Sequence, residues 1–172
     1  MAQIHKVEAQ FVAKSHADKL YNMVTRGAPT LPKYIPQLIH KCQVLPEEGE
    51  IRLGSIYVWD YAVGATEGIL STVKTKNKIT AVDHKNMSIT QTMFEGYHTV
   101  DYPSFDIIID VTPIHGGGTN KSMVKWSFKY EKENEHVPAP TSFIKFFEAF
   151  FKELDAKLLE EESQKEIDRD QD

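Results

Sequence analysis

Two periodicities divide the chain. From Ile39 to Lys132 apolar and polar positions alternate, which puts successive side chains on opposite faces of strands. Beyond Thr141, Phe143, Phe146, Phe147, Phe150, Leu154 and Leu158 recur at three- and four-residue steps, the spacing of one helix face. The alternation predicts strands over Ile39 to Leu45, Ser55 to Val63, Gly68 to Val82, Met87 to Glu95, Phe105 to Pro113 and Lys121 to Lys132, each bounded by Gly, Pro, Asp or Asn. Their connections are short, Asp83 to Asn86 a tight turn and His115 to Asn120 a longer one, so an antiparallel meander follows. Ile4 to Val12 alternates loosely and predicts one strand more. It runs into Ser15, a cap for a short helix bearing Leu20, Tyr21 and Val24, and Pro29, Pro32 and Pro36 allow one further short helix with a forced break.

The strand faces carry the functional content. Tyr57, Trp59 and Tyr61 share one face of their strand; Met87, Ile89, Gln91 and Met93 share another; Phe105, Ile107, Ile109 and Val111 a third; Val124, Trp126, Phe128 and Tyr130 a fourth. The opposite faces are mostly Thr, Ser, Asp and Lys, which makes a sheet apolar on one side. Together with the aromatic helix, this face forms either a packed core or the walls of a cavity. The polar tips of Tyr57, Tyr61 and Tyr130, with Gln91, are the placed polar groups that mark a small-molecule pocket.

Composition narrows the partners. The 172 residues, 41% hydrophobic and 26% charged, suit one domain over 1–159 with a sizeable core. The net charge of −5 sits at the end: Glu160 to Asp172 holds seven acids and two bases, while 18 acids balance 18 bases elsewhere. A neutral body offers phosphates no basic face, so no nucleic-acid partner is expected. With Ile167 as its one aliphatic residue, the segment 160–172 reads as an acidic, disordered tail. Cys42 is the lone cysteine, which fits a reducing compartment. No run reaches membrane-spanning length and the N-terminus lacks the features of a secretory signal, so a cytoplasmic protein without integral membrane contact is expected.

Motifs for chemistry are weak. His115-Gly116-Gly117-Gly118 has the form of an esterase oxyanion loop, but no G-x-S-x-G nucleophile elbow accompanies it and the glycines read as a hairpin. Gly49 to Ser55 has the glycine spacing of a phosphate loop without its lysine, and it leads into a strand. The seven histidines lack the spacing of a metal site, so no metal is expected. Tyr97, His98, Asp101 and Tyr102 cluster at a strand boundary. If the chain is an enzyme these are the first candidates for proton transfer; otherwise they solvate a loop.

Several landmarks follow in order: the proline-framed Leu31 to Pro36, the hairpin Lys76 to Asn86, Phe94-Glu95-Gly96, Val124-Lys125-Trp126-Ser127 and Tyr130-Glu131-Lys132. In order and spacing from Ala2 to Leu159 they resemble the birch-pollen-allergen (pathogenesis-related class 10) superfamily, and more narrowly its major latex protein branch. The resemblance implies an α+β helix-grip (START-like) fold, a seven-stranded antiparallel sheet wrapped around a long C-terminal helix with two short helices. It also implies an internal cavity, on the order of several hundred Å³ for a small-molecule pocket. The implied role is a carrier of a hydrophobic plant molecule of steroid, fatty acid, terpenoid, alkaloid or phytohormone class, linked to defence, latex or phloem. No cofactor is implied, and the protein would be a monomer or weak dimer. The alternative is a cofactor-independent cyclase or isomerase of specialised metabolism using the same cavity. The ligand-binding residues expected are Tyr57, Trp59, Tyr61, Ile89, Gln91, Met93, Phe105, Ile107, Trp126, Phe128, Phe143, Phe146, Phe147 and Phe150. Glu47 to Gly54 is poorer in glycine than the family's loop, and the catalytic lysine of the alkaloid-condensing relatives has no match.

Overall fold

A computed structural model describes residues 3–63, 72–96, 99–116 and 121–171. Along the chain they form β1 (Ile4–Ala13), α1 (Ala17–Val24), a 3-10 turn (Ala28–Thr30), α2 (Leu31–Tyr34), β2 (Ile39–Leu45), β3 (Ile56–Tyr61), β4 (Val73–Asp83), β5 (Ser88–Gly96), β6 (Ser104–Ile114), β7 (Lys121–Glu131) and α3 (Thr141–Asp170). The strands make one antiparallel sheet in the order β1-β7-β6-β5-β4-β3-β2, a meander whose last strand pairs with the first. This is the expected α+β helix-grip architecture, with α3 against the apolar face. Gly68 to Ser71 of the fourth predicted strand lie outside the described residues. Met87, expected as the first residue of this strand, sits in the turn before β5 with φ of 53° and is partly buried against the core.

The ladders differ across the sheet. β1–β7 and β6–β7 stay in register from end to end, Ile4 opposite Glu131 through Ala13 opposite Ser122 in the first of them. On the other side the register shifts between Ile39 and Lys41, between Lys76 and Asn77, and between Ile79 and Ala81. Each shift sets two residues against one and bends the strand, which curls this half around the helix. At the Lys76/Asn77 shift the extra residue is Phe94, turned outward and 48% exposed. Gly96 ends β5 at φ +105°, and a Cβ there would lie 2.2 Å from the Lys74 carbonyl oxygen. Only glycine lets the two strands approach so closely.

Helix α3 buries Phe143, Phe146, Phe147, Phe150, Phe151, Leu154, Asp155 and Leu158. Its aromatics form two ridges at four-residue spacing. Phe143, Phe147 and Phe151 lie on β6 and β7: ring centroids are 5.5 Å apart for Phe143 and Phe105, 5.2 Å for Phe147 and Phe128, and 5.2 Å for Phe151 and Trp126. Phe146 and Phe150 form the second ridge, and Phe146 meets Tyr61 of β3 at 5.2 Å. Asp155 fixes the far side of the helix. Its carboxylate accepts from the backbone N–H of Lys14 (3.0 Å), the N–H of Ser15 (2.9 Å) and the Ser15 hydroxyl (2.6 Å). Ser15 is therefore not the cap of α1; His16 holds that position without a side-chain cap bond. A carboxylate is the stronger acceptor and takes the hydroxyl that would otherwise have closed the helix end.

The acidic end is a correction to the expected disordered tail, because α3 continues unbroken to Asp170. Residues 163–171 are exposed, so packing does not hold them. Glu, Gln, Lys and Arg are strong helix formers, and the four-residue pairs Glu161–Lys165 (3.4 Å) and Gln164–Asp168 (3.0 Å) add support. Tyr34 of α2 donates to Glu161 (2.6 Å), and Lys19 of α1 pairs with Glu162 (3.5 Å).

Candidate ligand-binding site

A cavity lies between the sheet and α3, lined by Val24, Ile39, Trp59, Tyr61, Thr75, Asn77, Gln91, Ile107, Ile109, Phe143, Phe146, Phe147 and Phe150. Its volume, counted as the space open to the centre of a water molecule, is about 40 Å³. A water needs about 10–15 Å³ on that measure, so the space holds a few waters and not a steroid. This corrects the expectation of several hundred Å³. The helix aromatics fill the space themselves: Phe146 stands 6.2 Å from Phe143, 5.8 Å from Phe147 and 6.3 Å from Phe150.

One corner of this cavity is polar. Thr75, Asn77 and Gln91 are buried, on β4 and β5, among aromatic and aliphatic neighbours. Gln91 Oε1 accepts from Trp59 Nε1 at 3.1 Å and from Asn77 Nδ2 at 2.9 Å. Asn77 Oδ1 and Thr75 Oγ1 have no hydrogen-bond partner among the described residues. Backbone alternation explains the placement. Lys74, Lys76 and Lys78 take the outer face of β4, where Lys76 meets Glu95 at 3.1 Å, so the residues between them point inward.

Of the expected ligand-binding residues, Trp59, Tyr61, Gln91, Ile107, Phe143, Phe146, Phe147 and Phe150 line the cavity. Tyr57, Ile89, Met93, Phe105, Trp126 and Phe128 are buried but outside the lining. Tyr57 donates to the Val24 carbonyl at 3.0 Å, and burial pushes its hydroxyl pKa upward. Phe105 stacks on Tyr130 and lies tilted against Phe143, which Phe128 meets edge to face. The proton-transfer candidates are not brought together at the cavity. Tyr97 and His98 lie outside the described residues, Asp101 is exposed, and Tyr102 donates to the Pro138 carbonyl at 2.6 Å. Apolar alternation does not mark Thr75 and Asn77, although lysines at every second position signal that the residues between them face inward.

A second, polar cleft of about 310 Å³ opens beside α1, lined by Asp18, Tyr21, Asn22, Thr25, Arg26, Glu50, Ile51 and His84. His84 spans it. Its Nε2 donates to the Ile51 carbonyl, which can only accept, at 2.6 Å, and its Nδ1 lies 2.8 Å from Tyr21 Oη. Burial first, then the charges of Asp83 and Glu50, push the Tyr21 hydroxyl up to about 12, so it remains a donor at neutral pH. The result is a clamp joining α1, the β2–β3 loop and the β4–β5 turn. Among the described residues, no cluster of three His, Cys, Asp or Glu side chains could hold a metal, and no helix is long and apolar enough to cross a membrane.

A curled antiparallel sheet gripping a C-terminal helix, with an aromatic interlayer and an uncharged polar corner, defines a ligand-binding fold of the helix-grip class. The chain belongs to the Pathogenesis-related protein Bet v 1 family, whose profile matches residues 2–161, and within it to the major latex protein branch. It is 34% identical over 160 residues to MLP-like protein 43 of Arabidopsis thaliana, covering 92% of this chain and 96% of that one. With MLP-like protein 34 of the same plant it shares 35% identity over 157 residues, 91% of this chain, and spans about half, 47%, of that longer protein. The crystal structure of major latex-like protein 151 from Panax ginseng matches with a TM-score of 0.75 at 26% identity, covering 89% of this chain and 96% of that one.

Proposed function

We propose that the protein binds and carries a hydrophobic small molecule between the sheet and α3. The observation that carries this reading is the polar corner. A packed core pairs its buried polar atoms or does without them, whereas a binding site keeps a few in reserve among apolar walls. The ligand-binding fold of the family supports the same reading. Room for a ligand comes from the Phe146 and Phe150 ridge, whose rings make no hydrogen bonds, so rotating them breaks no polar contact. Binding is favoured over turnover because the described lining residues include no carboxylate, imidazole or amine. That leaves the Tyr61 phenol as their one acid–base group, with no second base or acid in the described lining to cycle a proton for a cyclase or isomerase. Cys42 is buried, which raises its thiol pKa and leaves it inert, in keeping with an intracellular carrier that works as a monomer or weak dimer. A role in defence or specialised metabolism belongs to this proposal.

The test is a titration with N-phenyl-1-naphthylamine, a neutral apolar fluorophore. The expected result is saturable enhancement in the micromolar range, tightened several-fold in Phe146→Ala, which removes a ring from the cavity. Absence of saturable binding to both proteins, each folded by circular dichroism, ends the carrier reading.

A further inference from the structure

The polar corner also specifies which ligands the cavity accepts, provided that the sheet–α3 interlayer is the binding site. Its side-chain orientations form a forced chain. The Trp59 indole N–H can only donate, so the Gln91 atom it meets at 3.1 Å is the oxygen. That oxygen, facing Asn77 at 2.9 Å, requires the amide nitrogen of Asn77 there. The other end of the Asn77 amide is then a carbonyl oxygen, on a side chain only 3% exposed, lining the cavity and without a partner among the described residues. Beside it stands the Thr75 hydroxyl, 1% exposed and equally unpartnered. The corner therefore presents a fixed acceptor and an adaptable hydroxyl. No cation balances them from the described lining, because the β4 lysines occupy the opposite face of the strand.

We propose that this site selects neutral apolar ligands that donate a hydrogen bond, of the hydroxylated class, and turns away the corresponding carboxylates. A hydroxyl that reaches Asn77 Oδ1 satisfies an acceptor that apolar walls leave bare. An ether of the same shape leaves that acceptor unpaired. A carboxylate brings its lone pairs against those of Asn77 and loses its hydration with no counter-charge.

The experiment is equilibrium dialysis of the wild-type protein, at neutral pH, against three probes of one size: 2-naphthol, 2-methoxynaphthalene and 2-naphthoate. The expected order is naphthol tightest by about tenfold over the methyl ether, as for a site built around a ligand hydroxyl, with naphthoate weaker than either. Asn77→Leu should bring naphthol and its ether to within about twofold, and Thr75→Val should narrow the gap in part. Gln91→Leu should also narrow it, because the Asn77 amide is then free to turn its N–H toward the ligand. Equal binding of naphthol and ether by the wild type overturns the selectivity while leaving the carrier reading in place, and this comparison needs no variant to fold. Naphthoate binding as tightly as naphthol overturns it as well. If no probe binds, the site itself is misplaced and both readings fall.

Discussion

The β6–β7–β1 half of the sheet and the β2–β5 half share one helix, yet α3 meets them with different ridges. On the first side the ladders run without a shift, the inner face is Val124, Trp126, Phe128 and Tyr130 beside Phe105, Ile107, Ile109 and Val111, and the Phe143–Phe147–Phe151 ridge stacks into it. On the second side the register shifts three times, Thr75, Asn77 and Gln91 interrupt the apolar face, and the Phe146–Phe150 ridge, with Phe143 and Phe147 beside it, borders a small void. Regular pairing and dense aromatic packing go with stability; bulges, polar interior groups and incomplete filling go with a site. Asp155 adds to the asymmetry, because it binds α3 to the end of β1 on the regular side.

The sharpest way to break this comparison is to truncate one ring from each ridge. Phe151 is fully buried and stacked on Trp126, so Phe151→Ala should lose about 3–5 kcal/mol in urea denaturation, the penalty of a full core cavity. Phe146→Ala and Phe150→Ala remove rings that already border a void, and about half that loss is expected, with tighter binding of an apolar probe. Equal losses on both ridges would make the two halves one continuous core.

Glycine substitutions come next. Gly96→Ala meets the Lys74 carbonyl at 2.2 Å in a left-handed backbone, so a loss of about 3 kcal/mol is expected, with changed probe affinity because Thr75 lies directly opposite. Gly116 adjoins the regular half at φ +131° with nothing within 4 Å of an added Cβ, so Gly116→Ala should lose only about 1–2 kcal/mol and leave affinity unaltered. If the two variants lose equal stability, the close approach of β4 and β5 contributes nothing.

Asp155→Ala strands two backbone N–H groups and a hydroxyl at a buried joint, and about 2–3 kcal/mol should be lost. Asp155→Asn keeps one acceptor oxygen and should lose about half as much. A full loss in the asparagine variant would assign the effect to charge and not to hydrogen bonding.

The regular half was the legible one. In β6 and β7 the inner positions from Phe105 to Val111 and from Val124 to Tyr130 are all apolar and the outer ones mostly polar, so alternation alone assigned the faces. In β4 the sequence Lys-Thr-Lys-Asn-Lys is polar on both sides, and apolar counting finds no inner face there; the lysine spacing carried the information instead. Phe151 and Asp155 fall in a stretch where aromatics and charges interleave, and a carboxylate on a buried helix face looks like a solvated one until the chain that meets it is known. The end of α3 was misread because acidic composition was weighed as failure to pack. A helix already nucleated by its buried turns needs only good helix formers to propagate. Cavity volume was not legible at all, since it depends on how far rings on two facing elements interpenetrate.

The smallest effect is expected at that helical end, which reaches past both halves to α2. Tyr34 donates to Glu161 at 2.6 Å; the bond holds the Glu161 carboxyl below its ordinary 4.5 and raises the Tyr34 hydroxyl above its ordinary 10.0. The signs follow. A lowered carboxyl stabilises the fold above its unfolded value and loses that contribution as pH falls through the folded one, while a raised phenol stabilises below its unfolded value and loses it as pH rises. The bond should therefore act at full strength between those two limits. Both side chains are partly solvated, so screening holds its worth to about 0.5 kcal/mol. Tyr34→Phe and removal of Glu161 to Asp172 should each lose about that much at neutral pH, with the difference from wild type vanishing in acid below the Glu161 titration. Affinity for N-phenyl-1-naphthylamine should be the same in all three proteins, since neither half of the sheet is touched. A several-fold change in affinity on truncation would show that the end of α3 controls the cavity, and the division of labour would then run along the helix instead of across the sheet.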